Sequence, residues 1–416
     1  MNEQTLWVGV DVGRYFHAWC AIDSTGKVVW ERRRVVNTTA AMRRALEQLR
    51  GFARGRALRF GVEEPGGNAC ALVRVLTLAE QTVHLAQPLR VHRFHLALGQ
   101  PRKSDPYDAQ VIAQFLRQNP AHLPLVRTGT VETQALRVLS RRLDALGKDL
   151  RRCLSRLRAT LAEYAPEWLL CSVFSDWSSE AALSTLERYG RVSKLRRTPL
   201  GRLANALGRW THGRFGAEHA QALAQAFAEV SLPADLEEAY AQVLDSLVAQ
   251  IRALLAEKQR LLALVAAQGQ AIPAMTTLQA ELGYGVETSA IIVSEVGEAA
   301  DFRSEPAFAT YCGVTPLKRK SGTSQGSSRL SRFTNKRLLR AIYQTTVCVV
   351  RCDERCRDYY QRKLAGRSDA RSKTTAMLAL ARHRTRRLYK LLRQAGVASS
   401  EAACAEVAPQ LTKLAT

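Results

Sequence analysis

The sequence predicts an α/β unit followed by an all-α remainder, and three observations carry that reading. Apolar, β-branched segments recur at 5–12, 16–22, 27–36, 58–63 and 82–86. Two long stretches, 129–165 and 233–267, repeat leucine every three or four positions among charges. From 271 onward the periodicity is helical wherever it is clear.

Thr5–Val12 is a strand ending on Asp11, with Gly13 as a turn. Phe16–Ile22 reads as a second strand, Asp23-Ser24-Thr25-Gly26 as a hairpin turn and Lys27–Val36 as a third strand. A helix over 38–52 is capped from Asn37-Thr38-Thr39. Leu58–Glu63 is a fourth strand broken by Pro65-Gly66-Gly67, followed by a helix over 68–79, a fifth strand over 82–86 and a helix from Pro106 to Gln118. Three antiparallel strands and then α-β-α-β-α is the order of a ribonuclease-H-like fold. The chain divides on this reading into 1–125, a helical coiled-coil region 126–270 with an Arg- and Trp-rich helical insert at about 166–232, and 271–416. The two long helices form an antiparallel pair or an oligomerising coiled coil. In the last segment a Gly-Tyr-Gly turn at 283–285 before the apolar helix 287–295 resembles a helix-hairpin-helix element, whose glycines let amides approach a phosphate.

The formal net charge is +24, and it is unevenly placed. Residues 1–125 hold 17 Lys/Arg and 10 Asp/Glu, and 126–315 hold 21 of each. Residues 316–395 hold 22 Lys/Arg against 4 Asp/Glu. A localised basic block of this kind suits a polyanion. The nine cysteines are irregularly spaced and read as reduced, without a zinc set. No apolar run reaches the roughly 18–20 residues that span a bilayer. The N-terminus enters a strand directly and does not read as a signal peptide. The expectation is a cytoplasmic, nucleoid-associated protein with no membrane partner.

Four carboxylates stand out. In a mixed sheet of this order the first and fourth strands are neighbours, so Asp11 and Glu63 meet at their C-terminal ends. Asp105 and Asp108, three apart, share a helix face. Glu64 rivals Glu63, but alternation lets only one of them join Asp11. Clustered carboxylates need cations, and an all-oxygen set suits Mg2+ or Mn2+. Two such ions flank a scissile phosphate in many nucleases and polymerases.

The phrases VGVDVGR, FGVEEPGGN and KSDPYDAQVIAQFL resemble the three acidic motifs of the DEDD transposases of the insertion sequence 110 family. The resemblance assigns Asp11, Glu63, Asp105 and Asp108 and favours Glu63 over Glu64; Pro65 and Ser104 stand where threonines are usual. Residues 308–347 also resemble that family's C-terminal transposase domain, through Gly313, Pro316, Ser321, Gly322, Gly326, Asn335, Lys336, Leu338 and Arg340. The family implies a RuvC-like N-terminal domain, Ser321 as nucleophile through a covalent phosphoserine link, a bridge RNA that guides donor and target DNA, and a dimer or tetramer. From chemistry alone Ser321 has rivals at 324, 327, 328 and 331, and Lys318, Arg319 and Lys320 would activate it and stabilise the phosphorane.

The expected nucleic-acid contacts are Lys103, Lys318, Arg319, Lys320, Arg329, Arg332, Asn335, Lys336, Arg337 and Arg340, with Arg351, Arg355, Arg382, Arg384, Arg386 and Arg387 tracking the backbone. The rival readings are a RuvC-like junction-resolving endonuclease without a covalent intermediate and a non-catalytic nucleic-acid-binding protein.

Overall fold

The computed structural model describes residues 4–63, 67–99, 104–120, 123–126, 129–319, 327–330 and 334–413, with 301, 317–319, 327–329 and 397–413 as backbone only. The chain forms two compact units, Met1–Gly129 and Thr130–Thr416.

In the first unit the chain order is β1 (Thr5–Val12), β2 (Phe16–Ile22), β3 (Val28–Val36), α1 (Thr39–Ala53), β4 (Ala57–Val62), α2 (Cys70–Leu78), β5 (Thr82–Leu85), α3 (Pro88–Ala97) and α4 (Asp105–Gln118). The sheet order is β3-β2-β1-β4-β5. β1 runs antiparallel to β2 and parallel to β4, in a register that pairs Asp11 with Ala18 and Val10 with Val62. Alternation divides the strands between two cores. Leu6, Val8, Val10, Phe60 and Val62 face one way and pack with Met42, Leu46 and Leu49 of α1 and Leu72 and Leu76 of α2. The other face meets α4, where Ala18, Cys20 and Ile22 pack on Ala109 and Ala113. α3 is the one helix of this unit that the sequence reading did not anticipate. Its start is marked by Pro88 in the first turn, a favoured place for proline because the missing N–H would be unpaired there anyway.

The second unit opens with α5 (Val131–Tyr164). After it come α6 (Glu167–Leu170), α7 (Glu180–Tyr189), α8 (Val192–Arg197), α9 (Leu200–Trp210) and α10 (Ala217–Ala226), then α11 (Ala234–Gly269). α12 (Pro273–Gln279), α13 (Val286–Val296) and α14 (Glu305–Tyr311) lead to a two-stranded hairpin, β6 (Pro316–Arg319) and β7 (Ser327–Leu330). α15 (Lys336–Cys352), α16 (Glu354–Leu364) and α17 (Ala370–Lys413) complete it.

α5 and α11 pair antiparallel, and two cores are threaded on the pair. Leu136, Leu143 and Leu146 of α5 and Leu261 and Val265 of α11 join Ile292, Phe308, Leu338 and Leu388 from the C-terminal helices. At the other end Leu157 and Leu161 of α5 and Leu244, Val248 and Ile251 of α11 join Trp168, Leu186, Leu207 and Phe227 of the insert. One core therefore continues from the long helices into the C-terminal helices, because the long helices are apolar on the face that meets α13. Gly283 packs on α15: a Cβ there would meet Val349 Cγ1 at 2.5 Å, and its φ is +90°. Among the described residues no single helix is long and apolar enough to cross a membrane.

Candidate active site

The carboxylates are positioned by the way α4 lies on the sheet. Residues 7, 9 and 11 of β1 alternate away from the α1–α2 core, toward α4. At Gly9 the approach is so close that a Cβ would run into the backbone oxygen of Ala109 and the backbone nitrogen of Ala113. Gly61 of β4 does the same beside Ile112 and Leu116, where a Cβ would sit 3.1 Å and 3.4 Å away. Two adjacent glycine-bearing strands thus let one helix settle against the middle of the sheet, with its N-terminus toward the strand ends that carry Asp11 and Glu63. Glu63 has the parity of Gly61 and so points to the α4 side; Glu64 lies outside the described residues.

Asp105 and Asp108 occupy the first turn of α4, which starts after Ser104 with a proline in its first positions. Carboxylates there are favoured by the exposed amides and the helix dipole. Burial, then the charges of Asp105 and Asp108, push the Asp11 carboxyl up to about 6, against a lowering hydrogen bond from the Val12 amide. Burial, then Asp11 and Asp108, push Glu63 up as well. The four acids therefore feel one another. They do not close on a point: among the described residues no three His, Cys, Asp or Glu side chains converge tightly enough to hold an ion. Half-buried oxygen donors that repel one another fit a hard divalent cation, which would neutralise them.

Sequence reasoning missed His95. It sits on α3 with Nδ1 4.0 Å from Asp108 Oδ1, and its ring meets Tyr107 edge-on at 5.4 Å. Its signal was the Pro88 helix start, which places a histidine near the end of the helix packed against α4.

In the second unit Ser321, Lys320 and Arg332 lie outside the described residues, as does Lys103 of the first unit, and Lys318, Arg319 and Arg329 are described as backbone only. The hairpin β6–β7 brackets the serine segment, and the chain beyond it is fastened by a network of ion pairs. Asn335 caps α15, accepting from the amides of Arg337 (3.1 Å) and Leu338 (3.2 Å). It also donates to Glu295 Oε2 at 2.9 Å. Glu295 pairs with Arg141 (3.1 Å) and Arg337 (3.2 Å), and Asp144 with Arg340 (2.7 Å) and Lys148 (2.9 Å). Burial would push the Glu295 and Asp144 carboxyls up. Hydrogen bonds from Arg141 and Asn335 to Glu295, one from Lys148 to Asp144, and the neighbouring cations instead hold both below their usual range.

Asn335 and Arg337, expected on nucleic acid, are thus turned inward, because α15 packs against α5 and α13 where two carboxylates need partners. Arg340 is half exposed and Lys336 exposed. On α17, Arg386 and Arg387 pair with Glu305 (3.0 Å) and Glu281 (2.7 Å) while remaining largely exposed. Such surface pairs are worth little and release easily.

Residues 8–166 match a family profile described as a transposase, of the DEDD type of IS110, and residues 275–361 match one described as a transposase of the IS116/IS110/IS902 family. The chain belongs to the IS110 family of transposases. The transposase is 28% identical over 399 residues to the 42 kDa protein of insertion element IS900 from Mycobacterium paratuberculosis, covering 95% of this chain and 97% of that one. It is 26% identical to the 43.6 kDa protein of IS110 from Streptomyces coelicolor, over 93% and 94% of the two chains. It is 27% identical to the 44.8 kDa protein of IS116 from Streptomyces clavuligerus, over 94% and 96%. It is an enzyme of DNA recombination, and its substrate is DNA. The two profiles take in all four carboxylates, the serine segment and the Asn335 network; the transposase's residues 167–274 fall between them.

Proposed function

We propose that the transposase cuts and rejoins DNA by transesterification, with Asp11, Glu63, Asp105 and Asp108 in a ribonuclease-H-like (RuvC-like) unit as metal ligands and Ser321 in the second unit as the nucleophile. The observation that carries this reading is the mutual repulsion of the acids: Asp11 is raised to about 6 by burial and by Asp105 and Asp108. Fixed carboxylates that repel one another beside a sheet edge are costly for folding and useful for holding cations.

In this reading the Ser321 Oγ–P bond forms as a P–O bond to deoxyribose breaks, and the serine proton leaves with the departing sugar oxygen. The phosphoserine conserves the energy of the bond, so a second sugar hydroxyl can reverse the step and join new strands. Asp11 and Glu63 from the strand ends, and Asp105 and Asp108 from α4, would hold divalent metal, Mg2+ or Mn2+ and two ions by the chemistry of the site. Bound there, metal supplies Lewis-acid neutralisation of charge on the phosphate oxygens. The Asn335 hydrogen bond and the Arg337 ion pair to Glu295 hold the base of the serine hairpin to α13, which would orient the nucleophile. The same family resemblance supports a guide RNA that pairs with donor and target DNA, and assembly as a dimer or tetramer, with 1–125, 126–270 and 271–416 as the functional segments.

The test is a covalent trap. Incubation with labelled donor DNA and divalent metal should yield a protein–DNA adduct that survives denaturation and maps to Ser321. Ser321→Ala should abolish adduct and recombination together. Cleavage that persists in Ser321→Ala without an adduct would replace this reading by that of a junction-resolving nuclease.

A further inference from the structure

From Arg188 to Ala217 the chain holds eight Lys/Arg and no Asp or Glu. This run lies in the insert, between the segments that match the two family profiles. The fold gathers part of it around one concavity of about 300 Å3, lined by Arg188, Lys194, Arg197 and Arg202 with the hydroxyl residues Ser193 and Thr198. Tyr189 forms part of the wall, and among the described residues its hydroxyl has no hydrogen-bond partner.

The acids nearby are committed elsewhere. Glu180 and Glu187 clamp Arg252 (2.8 Å and 2.6 Å), and Glu238 takes Arg191 at 2.8 Å. Among the described residues none of the four cavity cations has a carboxylate partner. Lys194 and Arg197 end α8, where a helix favours cations. Arg202 has no such reason: it lies in the first turn of α9, where cations are disfavoured, and that turn has neither an acidic residue nor a side-chain cap. The Thr198 hydroxyl already donates to the Lys194 carbonyl at 2.8 Å, but a bare helix start, guanidinium and ammonium groups and the Ser193 hydroxyl on one concave wall are the donors that hold phosphate in protein–nucleic-acid interfaces.

We infer that this cavity in the insert is a phosphodiester-backbone site, a second nucleic-acid contact apart from the carboxylates and the serine hairpin. Each of these donors is suited to phosphate oxygen. The site stands on its own geometry and does not depend on the proposed chemistry.

The test uses the full chain and two labelled probes, a poly-uridine oligonucleotide and a random-sequence DNA duplex. The variant Lys194→Gln/Arg197→Gln/Arg202→Gln should melt like the wild type, since these side chains are exposed and unpaired. It should bind at least one probe about ten-fold more weakly, with the slope of log affinity against log salt reduced by about 2. Lys194 of the wild type should be protected from an amine-acetylating reagent when that probe is bound. Loss on the oligonucleotide alone assigns the site to RNA, and loss on the duplex alone to DNA. Unchanged affinity and slope on both probes, or equal labelling of Lys194 with and without them, overturns the inference. None of these readouts involves cleavage, so failure here would leave the role of Asp11 and Ser321 untouched.

Discussion

Gly9 of β1 and Ala109 of α4 meet backbone to backbone, with no room for a side chain between them. The contact sets how close the helix that carries Asp105 and Asp108 comes to the strand that carries Asp11. Gly9→Val should push α4 off the sheet and cost at least about 1–3 kcal/mol, the usual penalty for overpacking. Urea denaturation should show that loss, and strand cleavage should fall even under conditions where the variant is folded.

Like charges held together cost stability until they are neutralised. Asp11→Asn should therefore raise the stability of the protein in EDTA, by roughly 0.5–2 kcal/mol, while abolishing cleavage. Thermal melting with and without Mg2+ is the measurement. The wild type should gain about 2.7 kcal/mol when the metal is at a hundred times its dissociation constant, and the variant much less. Equal metal stabilisation in both would remove Asp11 from the metal site.

Among the described residues His95 approaches the cluster at Asp108, with Nδ1 4.0 Å from Oδ1. His95→Gln should weaken Mg2+ binding by about ten-fold with little change in melting temperature, the range seen when a partner of a ligating carboxylate is removed. Isothermal titration of the full chain decides it, and an unchanged affinity would make His95 a packing residue.

The sequence shows the carboxylates better than it shows their surroundings. Asp11, Glu63, Asp105 and Asp108 stand at ends of strongly patterned elements, where strand parity and helix spacing determine direction. α3 carries no comparable apolar stripe, so His95 stayed hidden despite Pro88. Asn335, Arg337 and Arg340 read from the sequence as nucleic-acid contacts, and the bonds they make within the fold were not legible there. Their partners Glu295 and Asp144 lie about 40 and 190 residues away in sequence, and no local pattern announces a long-range ion pair. The phosphate cavity was invisible because its cations are drawn from three helices and matter only through what they lack.

The Glu295 network gives a pH signature. Its carboxyl titrates below its free value of 4.5 in the folded protein, so its contribution is complete above that value. It is lost as pH falls through the depressed folded value. The same holds for Asp144 against 3.8. Glu295→Gln should flatten the acid limb of stability against pH. Glu295→Ala should cost about 1–3 kcal/mol at neutral pH, because the half-buried Arg337 would lose its nearer carboxylate and keep only Asp144, at 3.6 Å. Guanidinium titrations across pH 3–7 would show both, and an unaltered acid limb would assign the acid sensitivity to other groups.

The two cores threaded on α5 and α11 have a metric consequence. α5 has 34 residues, a rod of about 51 Å at 1.5 Å per residue. One end is bolted to the helices that flank the serine hairpin and the other to the insert with its basic cavity. With nucleic acid engaged at both ends, as proposed, the second unit would work as a ruler: the strand would run its full length, about one and a half turns of duplex at ~34–36 Å per turn. Changing α5 and α11 by one matched heptad each would recalibrate that length without altering a single contact residue.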